Sequence, residues 1–233
     1  ENVWYRIRRH IPKSNDELWI VLLPGFQFLG LTIGARATGI LQVAEWYVLD
    51  EFLKRYPPET PDERIVLVGI DEPYIQEIGQ YPISDQHLTN ILVTIQSYQP
   101  QVIGLDLYRD LAIPPGTSSL TRLLENSENI LGIEKVFDPP IPAPSALPKS
   151  HVGIADATLD SDGNQRRIFL GTQTHDGFRF SLPLLMAQQY LQSENIALDR
   201  GDRDPFAMRY GSAELPRIHE DFGGYVNLSN NFS

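Results

Sequence analysis

Two aspartates follow apolar runs of similar pattern, and they are the residues of this chain most suited to chemistry. Asp71 ends the run RIVLVGID, and Asp106 has the equivalent position in QVIGLDLY. Glu72 follows the first aspartate directly, and Arg109 lies shortly after the second. In an open parallel sheet, ligands bind at the carboxyl ends of the strands, where all four side chains would lie. We therefore predict a ligand-binding site at Asp71, Glu72, Asp106 and Arg109.

The carboxylates of this predicted site have two other interpretations. Two or three of them could hold Mg²⁺ or act as an acid and a base, which makes a metal-dependent hydrolase using Asp71 and Asp106 an alternative function. The simpler interpretation is that each aspartate caps the loop or helix after it by accepting hydrogen bonds from backbone N–H groups.

A second acidic segment has the spacing of calcium ligands. Asp160, Asp162 and Asn164 offer oxygen atoms at alternate positions, as at the start of a calcium-binding loop. Gln165 and Gly171 stand where the EF-hand pattern needs glycine and glutamate, so we predict a tight turn at this segment.

Motifs of the familiar enzyme classes are missing from the sequence. The chain has no cysteine, which excludes thiol catalysis, disulfides and cysteine-based metal sites. Its five histidines show no metal-ligand spacing, and there is no Gly-x-Ser-x-Gly, His-Glu-x-x-His or phosphate-binding glycine loop. We expect no catalytic residue, no bound metal and no cofactor, and a function other than catalysis.

The elements that must position the predicted site alternate between strands and amphipathic helices. Apolar runs predict strands at 64–70, 101–107 and 129–135, and helical periodicity predicts helices at 84–98, capped by Ser84, and 117–125, capped by Thr117. This order predicts βαβ crossovers, the first formed by 64–70, helix 84–98 and 101–107, so that the sheet is mainly parallel and the fold class α/β. Five prolines within 138–148 predict a stiff loop, and Asp176-Gly177 predicts a β-hairpin near 167–182, followed by a helix at 182–195.

An uncharged run at residues 18–35 precedes this body. As a helix at 1.5 Å per residue it would span about 27 Å, close to the hydrocarbon thickness of a bilayer. Because basic residues precede the run, the positive-inside rule predicts a cytoplasmic tail at 1–17, a transmembrane helix at 18–38 and an extracytoplasmic domain at 41–233.

Two other interpretations of the uncharged run remain open. Ala35-Arg36-Ala37 fits the small-x-small cleavage site of a signal peptide. Pro24 and Gly25 are unfavourable in a membrane span, so the run could also be a buried helix of a soluble fold.

The charge of the chain bears on its partners. Asp and Glu number 30 against 19 Lys and Arg, which gives a net charge of −11. Such a surface repels a phosphate backbone, so we predict that nucleic acid is not a partner. The same surface mildly favours a cation or a polar neutral ligand over an anion.

The order of several segments resembles the type-two CHASE domain, a family of sensory extracellular modules associated with cyclases and histidine kinases. The likeness begins with Glu45 and Asp50 in LQVAEWYVLD and continues through RIVLVGIDEPYIQEIGQYP and VIGLDLY. It ends with GIADATLDSDGNQRRIFL and FSLPLLMAQQYL, and covers about residues 41–233. Where the family has aromatic-Pro-aromatic-Pro-Arg, this chain has Tyr81-Pro82-Ile83-Ser84-Asp85, so any role of that arginine is lost here.

The resemblance implies a bacterial extracytoplasmic ligand sensor with one N-terminal membrane helix, followed by helices that lead to a cytoplasmic cyclase, kinase or phosphatase. It also implies that the family module continues past Ser233. We expect a small molecule or ion as the ligand and a homodimer as the working state, with helix 40–53 passing movement inward as a rigid rod. A structural role in membrane assembly is a further alternative.

Overall fold

The structure is a computed structural model that describes residues 15–57, 60–160, 162–166 and 168–215. The chain divides into two compact units, one ending at Pro58 and the other beginning at Glu59. Most of the predicted cytoplasmic tail at 1–17, and the last part of the predicted sensor domain at 216–233, lie outside the described residues.

The described residues of the first unit contain two helices, α1 (Asn15–Ala37) and α2 (Gln42–Arg55). Helix α1 contains Pro24 and covers most of the predicted membrane segment at 18–38. In the described part of the chain, no helix reaches the length and apolar character that a membrane crossing requires. The predicted transmembrane helix therefore has no support from the structure.

A parallel sheet organises the second unit. Its strands are β1 (Ile103–Gly104), β2 (Ile130–Glu134) and β3 (Val152–Ile154), in the order β1-β2-β3. Ile103 is level with Ile130, and Gly132 is level with Val152. The α/β class and the parallel pairing of the strands predicted at 101–107 and 129–135 are confirmed, although β1 is shorter than predicted.

The strand predicted at 64–70 is absent, so the prediction of a first βαβ unit is wrong. This segment pairs with no strand in the described part of the chain, and Ile65, Val66, Leu67 and Val68 are 62 to 92% exposed. Ile70 alone in this run packs against the core that contains β1. The residues of this run have high β-propensity. A strand also needs a neighbouring strand edge with which to pair, and propensity alone does not predict whether one is available.

Helices α3 (Glu72–Ile78), α4 (Asp85–Ser97) and α5 (Thr117–Glu125) precede and follow β1. The predictions for α4 and α5 are confirmed, and the apolar faces of both helices are buried in one core with β1 and β2. Ser84 caps α4 as predicted, since its hydroxyl accepts a hydrogen bond from the His87 amide. The predicted cap of α5 is wrong: Gly116 occupies the cap position at φ +97°, where a side chain would meet the backbone of Gln86.

The predicted hairpin is confirmed as β4 (Gly171–Thr174) and β5 (Gly177–Phe180), and it leads into helix α6 (Leu182–Ser193). Helix α6 lies against the parallel sheet, where Leu182 packs with Leu131 and Ile133. A methyl group at Gly104 would overlap the Met186 side chain, so this glycine permits the close approach of α6 to β1. Strands β6 (Leu198–Arg200), β7 (Met208–Tyr210) and β8 (Ala213–Leu215) form an antiparallel sheet in a segment that the sequence left unassigned.

Candidate functional site

The first two residues of the predicted site act at the start of α3. The Asp71 side chain accepts a hydrogen bond from the Tyr74 amide at 3.1 Å and thereby caps the helix. The Glu72 carboxylate accepts a hydrogen bond from the Gln76 side-chain amide one turn later. The capping role that was one interpretation of Asp71 is thus present.

The other two residues of the predicted site differ sharply in burial. Asp106 is exposed, whereas Arg109 is 7% exposed. Among the described hydrogen bonds and ion pairs, none joins Asp71 or Glu72 to Asp106 or Arg109. Burial, with the nearby carboxylates of Asp156 and Asp106, raises the pKa of the Tyr108 hydroxyl.

Arg109 has a partner that the sequence analysis did not single out as a site residue. Its Nη2 donates a hydrogen bond to the Ile83 carbonyl at 2.7 Å, and its Nη1 lies 3.8 Å from the Asp85 carboxylate. Burial lowers the pKa of the Arg109 guanidinium, while Asp85 acts in the opposite direction. Nε and Nη1 of Arg109 are buried without a hydrogen-bond partner.

Asp85 connects helix α4 with the segment that precedes α5. Its carboxylate accepts hydrogen bonds from the Ile113 amide at 3.0 Å and the Thr117 hydroxyl at 2.7 Å. The backbone amide of Asp85 also donates to the Ile113 carbonyl. Asp85 stands at the position of the missing family arginine, and this departure was the only sequence signal that marked it.

The acidic segment after Asp160 is a turn, as predicted. The Arg166 guanidinium lies 3.1 Å from the Asp160 carboxylate and 2.7 Å from that of Asp162. The Arg166 hydrogen bonds, with those from Asn164, hold the pKa of Asp162 well below its usual range. These carboxylates are neutralised by an arginine of the same turn, and no cluster of three or more His, Asp or Glu residues that could hold a metal occurs in the described residues.

A cavity of about 610 Å³ lies between the β4–β5 hairpin, helix α6 and the residues that enter β3. We call it the hairpin cavity. Its apolar lining consists of Leu131, Val152, Phe178, Phe180 and Leu185, and the two phenylalanine rings meet edge to face at 5.2 Å. Leu131 and Val152, which line the cavity, stand near the amino ends of β2 and β3.

Charged side chains form part of the cavity wall. The Lys149 ammonium lies 2.8 Å from the Asp176 carboxylate, and this contact lowers the pKa of Asp176. Arg179 Nη1 donates to the Lys149 carbonyl at 3.2 Å, and Arg179 Nε lies 3.6 Å from the Glu134 carboxylate. Glu134 itself lines a neighbouring cavity of about 600 Å³ on which Asp176 and Arg179 also border.

Two polar atoms of the hairpin cavity's lining residues lack hydrogen bonds. Nδ1 of His151 and Oε1 of Gln188 are both buried without a partner. A buried polar group without a partner destabilises a protein by about 1–3 kcal/mol, so such groups are uncommon unless a ligand or water completes them.

The hairpin cavity could not be predicted from the sequence because its lining comes from segments that are distant along the chain. The only local signal was on helix α6, where Gln188 and Gln192 are four residues apart and therefore share one face. Lys149 and His151 follow the proline-rich loop in a short 3-10 turn that leads into β3.

Comparison with known proteins bears on the family and not on the ligand. Neither the curated proteins nor the solved structures that were compared include a match to this chain. A family model described as the CHASE2 domain matches residues 28–232, which includes the parallel sheet, the hairpin and the hairpin cavity. The order of segments noted in the sequence, the α/β fold and this match agree, and the chain belongs to the CHASE2 family of sensory domains found in signal-transduction receptors.

Proposed function

We propose that this chain senses a small ligand and that the hairpin cavity is the place where the ligand binds. The observation that carries the proposal is the pairing of a 610 Å³ cavity with two buried polar atoms, on His151 and Gln188, that have no partner. Ligand sites in proteins are commonly 300–1,000 Å³, mostly apolar, and have a few polar groups that orient the ligand. The hairpin cavity has a volume in this range and combines apolar with polar lining residues.

We propose further that the sensor faces the outside of a membrane and reports to a cytoplasmic cyclase, kinase or phosphatase. The family assignment supports a receptor, and the uncharged run at 18–35 with basic residues before it supports this orientation. Several apolar side chains of α1, such as Phe28 and Leu31, are exposed to solvent, as in a helix that meets lipid or another helix. A homodimer would allow α2, which lies between α1 and the sensory unit in the chain, to transmit a rotation or shift.

The four residues of the predicted site, Asp71, Glu72, Asp106 and Arg109, are the second candidate for the ligand site. The support is the pair of unpartnered nitrogen atoms on Arg109, which a ligand or a water molecule could complete. Both candidate sites lie in the second unit, so one set of variants can compare them.

The decisive experiment is a thermal-shift screen of the full chain in detergent against a few hundred small metabolites of mixed charge. A ligand present at 100 times its Kd raises stability by about 2.7 kcal/mol, which such a screen detects. We expect at least one hit whose effect disappears in Gln188→Leu and persists in Asp71→Asn and Asp106→Asn. A hit that is lost only in the two aspartate variants would move the site to the four predicted residues, and a screen without any hit would contradict the sensing proposal.

A further inference from the structure

We infer that the ligand of the hairpin cavity is a small organic carboxylate that carries an N–H or O–H donor and an apolar body. This inference rests on the proposed function, because it names the chemical class for the same cavity. It differs from the expectation based on the net charge of the whole chain, which favoured a cation or a neutral molecule.

The charges of the cavity wall are the first reason. Lys149 and Arg179 line the cavity, against Asp176 as the one acidic residue in its lining. Lys149 already neutralises Asp176 at 2.8 Å, so no free carboxylate remains among the lining residues to hold a cation. Although the chain as a whole is acidic, the potential that a ligand meets is set by the nearest groups, because salt screens charges beyond about 8–10 Å.

Arg179 is the residue that can bind the carboxylate of the ligand. Its nearest counter-charge, Glu134, lies at 3.6 Å from Nε, which is too long for a hydrogen bond. Its one described hydrogen bond runs from Nη1 to the Lys149 carbonyl. The guanidinium therefore has N–H groups left for a second acceptor, and a planar carboxylate is the ligand group that matches two of them at once.

The unpartnered atoms define the rest of the ligand. Oε1 of Gln188 can only accept a hydrogen bond, so the ligand needs an N–H or O–H donor. Nδ1 of His151 can donate or accept, depending on the tautomer, and does not narrow the class further. The rings of Phe178 and Phe180, with Leu131, Val152 and Leu185, favour an apolar group between these polar ends.

The test uses calorimetric titration of the full chain in detergent near neutral pH. Three acids of the inferred class, N-acetylleucine, 4-hydroxyphenylacetate and 2-hydroxy-4-methylpentanoate, are each compared with their primary amide. At least one acid should bind, and its amide should bind at least tenfold more weakly. Arg179→Gln should weaken the acid at least tenfold and change the affinity of the amide less than twofold. Arg122→Gln, which alters an exposed arginine outside the hairpin cavity, should change neither affinity.

A second variant guards against a mere folding defect in Arg179→Gln. Glu134 competes for Arg179, so Glu134→Gln should strengthen binding of the acid several-fold, which damage to the fold does not do. If acid and amide bind equally and neither variant changes this, the carboxylate inference is wrong while the sensing proposal stands. The carboxylate inference is equally wrong if these six compounds fail to bind and a neutral metabolite from the wider screen binds at Gln188. If nothing binds in either experiment, both proposals fail.

Discussion

Arg109 and Asp85 face each other inside the protein, with Arg109 Nη1 3.8 Å from the Asp85 carboxylate and both side chains almost completely buried. Asp85 is the first residue of helix α4, and Arg109 follows strand β1. Their hydrogen bonds to Ile83, Ile113 and Thr117 join the start of α4 to the chain that leads into α5. The pair therefore connects the start of α4 with the segment between β1 and α5.

Replacing Arg109 with methionine should therefore destabilise the fold by about 3–5 kcal/mol, because it leaves the Asp85 carboxylate buried without its counter-charge. Urea denaturation followed by circular dichroism measures the change. Arg122→Met, at an exposed arginine, is the control and should stay within about 0.5 kcal/mol. A loss below about 1 kcal/mol for Arg109→Met would show that the pair is not buried as described.

The exposed run at 65–68 gives a prediction that separates sequence pattern from structure. Leu67 is 92% exposed, so Leu67→Lys should change stability by no more than about 0.5 kcal/mol. Leu92 is 2% exposed in the core, so Leu92→Ala should lower the free energy of unfolding by about 2–5 kcal/mol. Thermal melts of both variants decide the point, and unfolding of Leu67→Lys would indicate that 64–70 is a buried strand after all.

Gly116 should tolerate no side chain. Its φ of +97° is strained for other residues, and an added Cβ would lie 2.5 Å from the backbone of Gln86. Gly79→Ala is the matched control, since Gly79 has φ +66° but nothing within 4 Å of its added Cβ. Gly79→Ala should lower the free energy of unfolding by about 1–2 kcal/mol from backbone strain alone. Gly116→Ala should lower it clearly more, as measured by urea denaturation. Equal losses would mean that Gln86 moves aside without cost.

Glu214 should make the stability of the second unit depend on pH. Its carboxylate accepts hydrogen bonds from the amides of Asp202, Arg203 and Asp204, which lower its pKa from the usual 4.5. Because the folded pKa lies below the unfolded value, the stabilisation is present above about pH 4.5 and is lost as pH falls through the folded pKa.

The comparison that tests Glu214 is a series of melting temperatures between pH 7 and pH 3 for the parent chain and Glu214→Gln. The variant should melt at a lower temperature at pH 7, and the difference should shrink towards pH 3. A constant difference over this range would show that the carboxylate charge does not matter to the amide contacts.

The unpartnered atom of Gln188 should link ligand binding to stability. In the absence of ligand, Gln188→Leu should leave the melting temperature unchanged or raise it, because it removes a buried acceptor that has no donor. Gln189→Leu removes a hydrogen bond to the Glu128 carbonyl and should lower the melting temperature slightly. Strong destabilisation by Gln188→Leu would mean that its side chain is already satisfied in the free protein.

Local signals were enough to predict helices α4, α5 and α6 and the hairpin of the second unit, although not helix α3. The spacing of Leu88, Ile91, Leu92 and Ile95 placed α4, Ser84 placed its first turn, and Asp176-Gly177 placed the turn between β4 and β5. Each of these signals arises from residues within one or two turns of one another, so the sequence carries the information directly. The family resemblance was likewise visible in the order of segments, and the family match confirms it.

Contacts between distant residues were decided only by the tertiary structure. Nothing local distinguishes the run at 64–70, which stays exposed, from that at 101–107, which supplies β1, because strand formation depends on whether a neighbouring edge is available. Asp85 and Arg109 are 24 positions apart, and the hairpin cavity joins Lys149, Arg179 and Gln188 from a loop, a strand and a helix. The local sequence determined helices α4 to α6 and the hairpin, whereas packing determined which apolar runs become strands and which side chains meet, since both depend on three-dimensional distances that no single segment contains.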